Sequence, residues 1–336
     1  MLRYPAFAAS ARDLLARLRP DVVICTFEEM FFWARAAEDD PDIFAPYFRA
    51  NPPFKILKNL HRKDALRHLV ASSARAAGVC IPETRRFGRL GEGRWVCKPA
   101  FSRWAAKTKL DLSAREAGHW MSKPGWLAQR QVTGREFCTW AFFVNGAEVC
   151  SAAYEPAFRM GIGSGIGLAG IPPPERAAEF ARKLATRLRY SGQLAFDWIE
   201  NESGCHLLEC NPRSTSGTLF FDDQSLKTGQ AVSNAIEGLP FQKVSGKIEA
   251  VAFKGAMLLN NMLSMLRPVA GAACRSFLRR AREAVHTEDD LGPVSPWVLL
   301  LSGIEVLALS LKHRCSPVRA STIDAEWNGS RFWESA

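Results

Sequence analysis

The chain has 336 residues, 44 Lys plus Arg against 34 Asp plus Glu, a formal charge of +10, and 47% apolar against 23% charged residues. Those proportions are those of soluble globular proteins and exclude a disordered tail, a collagen-like fibre and a low-complexity scaffold. Single cores stop growing near ~250–300 residues, so two or three structural units are expected.

Net positive charge favours anionic partners: nucleic acid, an anionic membrane surface or a phosphorylated small molecule. The cations are scattered, and the densest group, Arg279-Arg280 with Arg282, is short. Without a basic arm, neither nucleic acid nor membrane is the expected partner. The nine cysteines include no Cys-x-x-Cys pair. Neither a zinc site nor a disulfide framework is indicated, and buried thiols in a reducing cytoplasm are expected. Met1 to Pro20 alternates Arg with Ala and Leu and lacks the apolar block of a signal peptide. The longest apolar stretch, Val294 to Leu311, carries Glu305 and Pro296. It falls short of the ~20 residues a bilayer span needs, and a buried helix is expected.

In chain order, Ala6 to Leu18 reads as a helix with Phe7, Leu14, Leu15 and Leu18 on one side, ended by Pro20. Val22 to Cys25 reads as a buried parallel strand leading into a second helix. This makes 1–50 a shortened doubly wound unit without a first strand. Glu28 and Glu29 fit a ligand position past a strand end and fit equally the acidic start of a helix. Asn51-Pro52-Pro53 marks a connection. Leu57 to Ala77 reads as helices stopped by Gly78, then Val79 to Thr84 is extended, and Arg94 to Lys98 is a strand stopped by Pro99. These form a first lobe over 51–125.

Leu127 to Val132, Glu136 to Val144 and Ala147 to Tyr154 read as an antiparallel series within a second lobe, 126–240. Asn145-Gly146 is a two-residue hairpin turn, because Asn and Gly tolerate positive φ. Gly165-Ile166-Gly167-Leu168-Ala169-Gly170 fits a dinucleotide fingerprint by letter, but Pro172 to Pro174 follow where a helix should start. A flexible loop over the active site is expected there. Pro174 to Arg189 is an amphipathic helix, and Gly192 to Ile199 with Cys205 to Glu209 forms another hairpin. The region 241–336 is mostly helical and includes Trp297, Trp327 and Trp333. It is expected to pack on the second lobe or to form a homodimer contact.

The last hairpin is the most informative segment. Asp197 interrupts one apolar strand, and Glu209 ends the next, followed by Asn211 and Arg213. Side chains alternate along a strand, so Glu209 and Asn211 share a face. Asp197 joins them if the turn holds an odd number of residues, which a three-residue loop, Asn201 to Ser203, satisfies. Two carboxylates and an amide oxygen suit Mg²⁺, which is held by few carboxylates plus substrate phosphates. Arg213 is placed to neutralise an anionic transition state. An ordinary surface hairpin with polar ends fits the same residues equally.

Lys98 ends an apolar strand, and Lys63 lies near the start of the preceding helix. Each alone reads as a solvated surface lysine. With the acidic hairpin they make two halves of an ATP site: cations for phosphate oxygens and carboxylates for bridging metals.

The ordered set resembles the ATP-grasp superfamily, particularly its carboxylate–amine ligases and carbamoyl-phosphate-synthase-like members. It runs from the Lys63 helix through Trp95-Val96-Cys97-Lys98-Pro99 and Ala128 to Glu136 to the acidic hairpin, within Asp21 to Leu239. The resemblance implies an α/β (α+β) ATP-grasp fold with a mostly helical C-terminal extension. It implies that Lys63 and Lys98 contact nucleotide phosphates, that Gln129, Arg130, Gln131 and Val132 form the adenine hinge, and that Glu136 holds the ribose. Asp197, Glu209 and Asn211 would coordinate Mg²⁺, two ions with Mn²⁺ an alternative, and Arg213 would face the transferred phosphoryl group. The implied activity is a ligase that turns a small carboxylate into an acyl phosphate for attack by an amine. A nucleotide-binding regulatory protein and a non-ligase phosphotransferase are the alternatives. Two positions depart from the family pattern. The loop Ala100 to Thr108 has no glycine, leaving Ser102, Arg103 and Lys107 to contact phosphate, and Arg130 stands where Glu is common.

Overall fold

An aromatic satellite core opens the chain. In the computed structural model, which describes residues 4–101, 107–160, 163–261, 268–284 and 296–314, helix α1 (Tyr4–Leu18) packs on α2 (Glu29–Asp39). Phe7 meets Phe32 at 5.2 Å and Trp33 edge-on at 5.7 Å between ring centroids. The short α3 (Pro41–Phe44) and α4 (Phe54–His61) add Phe44, Phe54 and Leu57 to the same cluster. Val22 to Cys25 corrects the expectation of a strand. The run pairs with no strand among the described residues. Asn51 takes the place of a ladder partner: its Nδ2 donates to Val23 O at 2.6 Å, and its Oδ1 accepts from Cys25 N at 3.3 Å. Only Cys25 of the four is buried, and Ile24 is exposed.

Helix α5 (Lys63–Ala76) follows α4 across a break at Arg62, where the backbone is extended. It ends at Gly78, whose φ of +65° suits a residue without Cβ. Beyond β1 (Val79–Cys80), a small antiparallel sheet is built from β2 (Thr84–Arg85), β3 (Trp95–Pro99), β4 (Lys109–Leu112) and β5 (Trp126–Arg130), in the order β2-β5-β3-β4. Helix α6 (Ala114–Met121) covers it. The helix starts with a capping box in which Ser113 and Glu116 satisfy each other's backbone donors. Trp95, Cys97, Ala117, Met121 and Ala128 fill the space between helix and sheet.

The large sheet runs β1-β10-β9-β6-β7-β8-β12-β13, with β11 (Val244–Ser245) beside β7. Its strands are β6 (Arg135–Val144), β7 (Ala147–Met160), β8 (Ser164–Ile171), β9 (Gly192–Asn201), β10 (Gly204–Asn211), β12 (Ala250–Ala252) and β13 (Arg282–Glu283). Asn145 and Gly146 turn β6 into β7 with φ of +49° and +84°, as the dipeptide predicts. Leu127 to Val132 does not join this series. Strand β5 belongs to the small sheet, so the chain crosses between the two sheets over 131–134.

Alternation places Phe137, Phe143, Leu194, Phe196 and Trp198 on one face, against α5 and α7 (Glu175–Leu188). Trp140, Phe142, Val144 and Ala195 lie on the other, against α8 (Ser225–Ile236). The Gly165 to Gly170 segment corrects the expectation of a flexible loop: it is strand β8, paired with β7 and β12. Its glycines serve close packing. A Cβ at Gly167 would meet Met257, Phe158 and Phe277 side chains at 3.0 Å, and one at Gly170 would meet Lys247 O at 2.7 Å.

In the C-terminal region, α9 (Lys254–Asn261) and α10 (Pro268–Arg280) pack Met257, Cys274 and Phe277 on Ile166 and Ala252. Helix α11 (Pro296–His313) corrects the expectation of burial: Leu301, Ile304, Leu307 and Leu311 are exposed, because no described sheet or helix face covers them. Among the described residues no helix is long and apolar enough to cross a membrane. Trp327 and Trp333 lie outside the described residues, as do Ser102 and Arg103.

Candidate active site between the two sheets

The acidic hairpin reaches its geometry through a two-residue turn and a bulge. The turn between β9 and β10 holds two residues, Glu202 and Ser203, since Asn201 pairs with Gly204. That even count corrects the three-residue loop and, continued regularly, would set Asp197 opposite Leu208 and turn Glu209 into the core. Instead the register shifts between Leu207 and Glu209, so Leu208 is a β-bulge and Glu209 pairs with Asp197. Cys205, Leu207 and Cys210 then all pack in the α5–α7 core. The apolar spacing of two followed by three was the signal of the bulge available in the sequence. Gln129 steadies it from the small sheet, its Nε2 donating to Leu208 O at 3.4 Å and to Thr84 Oγ1 at 3.2 Å.

Both lysines point at Glu209. Lys63, the first residue of α5, sets Nζ 3.3 Å from Glu209 Oε2, and Lys98, on β3, sets Nζ 3.6 Å from the same oxygen. The Lys63 backbone N–H donates to Ala100 O at 3.2 Å, which ties the helix start to the end of β3. Both lysines are buried.

Burial alone would raise the Glu209 carboxyl, but the charges of Lys63 and Lys98 outweigh it and draw it down to about 2. Lys98 is lowered, first by burial and then by Lys63, against the pull of Glu209. Asp197 is pushed up to about 7 by burial and by the negative charge of Glu209. Its oxygens accept from Cys138 Sγ at 3.2 Å and Asn211 Nδ2 at 3.3 Å. Asn211 Oδ1 in turn accepts from Arg213 Nη2 at 3.2 Å.

Asp197, Glu209 and Asn211 therefore lie together, with hard oxygen donors and an electrostatic strain that a divalent cation would relieve. Among the described residues no three His, Cys, Asp or Glu side chains gather as a metal-ligand set. Two carboxylates and an amide suit Mg²⁺ completed by phosphate and water oxygens. Such an ion would supply charge for phosphate oxygens.

The remaining candidates lie at the end of β5, in the crossing and at the start of β6, apart from Lys107 between β3 and β4. Arg130 lies over Trp95 at 4.2 Å and donates to Glu83 Oε2 at 3.4 Å and to Glu92 O. Gln131 accepts from Asp111 N at 2.7 Å. Val132 is half-buried. Glu136 is the second residue of β6 and pairs with Arg159. Lys107 is exposed.

Two further residues enter the neighbourhood: Cys138, which the sequence did not single out, and Glu28, which it offered as either a ligand position or a helix start. Cys138, from β6, lies against Asp197 and gave no signal beyond its place in an apolar strand. Glu28 is fully buried and lies 3.8 Å from Arg213 Nε, whereas Glu29, the first residue of α2, accepts from Thr26 N and Phe27 N of the preceding turn.

No family model matches the chain. No curated protein matches it either. Solved structures do. An ADP complex of purK, N5-carboxyaminoimidazole ribonucleotide synthetase, aligns at 16% identity and a TM-score of 0.53, covering 76% of this chain and 72% of that one. A biotin carboxylase from Campylobacter jejuni in complex with β,γ-ATP aligns at 13% and 0.52, covering 72% and 59%. An L-amino acid ligase from Bacillus licheniformis aligns at 14% and 0.49, covering 70% and 60%. The chain spans about 60% of the length of the latter two structures.

Proposed function

From the ATP-grasp fold that this chain has, we propose that it is an ATP- and Mg²⁺-dependent ligase. In this reading a small carboxylate attacks the γ-phosphorus of ATP, giving an acyl phosphate and ADP. An amine then attacks the acyl carbon, and inorganic phosphate leaves as the amide forms. A carboxylate resists amines because its leaving group is poor, and phosphorylation removes that obstacle. The protein then has mainly to position groups and neutralise charge.

The observation that carries the reading is the convergence of Lys63 and Lys98 on one oxygen of Glu209, with Asp197 across the ladder. Cations for phosphates and carboxylates for metal are brought to one point from the small sheet, α5 and the large sheet. Lys63 and Lys98 hold phosphate oxygens, Asp197, Glu209 and Asn211 hold one or two Mg²⁺ ions, and Arg213 faces the transferred phosphoryl group. The crossing at Gln129 to Val132 borders the adenine, with Glu136 at the ribose. We place the lobe boundary after Arg130, since β5 pairs within the small sheet.

Calorimetry with ATP, with and without Mg²⁺, tests the site, and ADP release in the presence of pooled small carboxylates and amines tests the reaction. Magnesium-linked ATP binding and acid-dependent ADP release are expected. ATP binding with no ADP from broad pools would overturn the ligase reading.

A further inference from the structure

We propose that Glu28, carried by the leading segment, is a positioning residue for Arg213, so that residues 25–28 belong to the active site. The proposal rests on the ligase reading above and extends it to a segment outside the nucleotide motifs.

Burying a carboxylate is costly unless it is paired. Glu28 is 0% exposed, and its Oε1 lies 3.8 Å from Arg213 Nε and 3.6 Å from His61 Nε2. The Arg213 guanidinium is oriented on every side. Its Nη1 donates to Ser214 O at 3.0 Å, its Nη2 donates to Asn211 Oδ1 at 3.2 Å, and its face lies 5.2 Å over the Phe27 ring. Glu28 faces the third edge, Nε, at ion-pair rather than hydrogen-bond distance. An arginine fork fixed in this way presents its charge without reorganisation when a phosphoryl group develops negative charge.

The segment that brings Glu28 is clasped to the same strand end. Ser214 N donates to Thr26 O at 3.1 Å, and Gln193 Nε2 donates to Cys25 O at 2.8 Å. Ser214 Oγ closes the loop by donating to Gln193 Oε1 at 2.6 Å. His61, at the end of α4, is held between the rings of Phe31 and Phe101, at 5.3 and 5.8 Å. The two faces of the clasp meet at Arg213 from opposite ends of the chain's first 214 residues.

Glu28→Gln keeps the shape and removes the charge. Two readouts test it in the full chain. The first is the ¹⁵N resonance of the Arg213 Nε–H, assigned by its loss in Arg213→Lys. It should shift and exchange faster in Glu28→Gln and stay unchanged in Glu29→Gln. The second is ADP release: kcat should fall about tenfold or more with the KM for ATP within about twofold, the size expected for losing an outer partner. In an Arg213→Lys background the Glu28 change should cost nothing further. Glu28→Asp, which keeps the charge, should recover part of both readouts and covers the case in which Glu28→Gln folds poorly. An unmoved Nε–H resonance, or losses that multiply in the double variant, would overturn the proposal. A wild-type chain that makes no ADP would sink the ligase reading instead, and the resonance would then decide the positioning role alone.

Discussion

Asp197 and Glu209 face each other across the β9–β10 ladder because Leu208 bulges out of register between a two-residue turn and the strand end. The pairing forces two half-buried carboxylates together, and the lysines of two other elements settle which one stays charged. Glu209 takes both ammonium groups and remains ionised, while Asp197 holds its proton to higher pH.

Replacing Glu209 should therefore do two things at once. Glu209→Gln leaves Lys63 and Lys98 buried without their anion, and stability should fall by about 3 kcal/mol, the scale of a broken buried pair. Magnesium-linked ATP binding should vanish. Urea unfolding and calorimetry on one preparation check both effects, and near-normal ATP binding in the variant would remove Glu209 from the metal site.

The two lysines should not act independently. Because both lean on the same Glu209 oxygen, Lys63→Met and Lys98→Met should couple by about 0.5–3 kcal/mol in a double-mutant cycle on unfolding free energy. Strict additivity would mean that each lysine has another principal partner.

The Asp197 and Glu209 shifts give the metal-free protein opposite pH slopes. Glu209, lowered from 4.5 to about 2, contributes stability that is present above pH 4.5 and lost as pH falls towards 2. Asp197, raised from 3.8 to about 7, contributes stability that is present below pH 3.8 and lost as pH rises through 7. Between these limits the pair favours mildly acidic pH. Mg²⁺ with ATP needs both carboxylates ionised, so it should raise the Tm more at pH 8 than at pH 6. Thermal scans across that range, with and without Mg²⁺ and ATP, would show the crossover, and an equal Tm gain at both values would contradict it.

The β8 glycines offer a test remote from the cluster. Gly170→Ala drives a Cβ to 2.7 Å from Lys247 O and should destabilise by about 1–3 kcal/mol, the usual range for overpacking. Magnesium-linked ATP binding at 25 °C should be retained. A fully tolerated substitution would mean that the segment is not the packed strand described above.

Much of the local structure was legible because its causes are local. The Asn145-Gly146 turn, the helix stop at Gly78 and the lengths of α1 and α7 follow from φ preferences and apolar periodicity over a few residues. The order of Lys63, Lys98, Asp197, Glu209 and Asn211 was legible too, as a list of chemical types. Val22 to Cys25 shows the limit: β-branched residues favour extension, yet a strand needs a neighbour, and here Asn51 took that place. Gly165 to Gly170 shows another, since glycines that read as freedom in a sequence serve close contact in a sheet.

The sequence by itself determined which charged groups this protein carries and the short-range turns and helices that present them. Tertiary structure decided which of those groups meet. Strand facing has a period of two, so a single bulged residue reverses it, and the partners that hold Leu208 and Arg213 come from Gln129 and Glu28, far away along the chain. Charge pairing in a buried site falls steeply with distance and gains strength as water is excluded, and neither distance nor exclusion exists until the sheets close on one another.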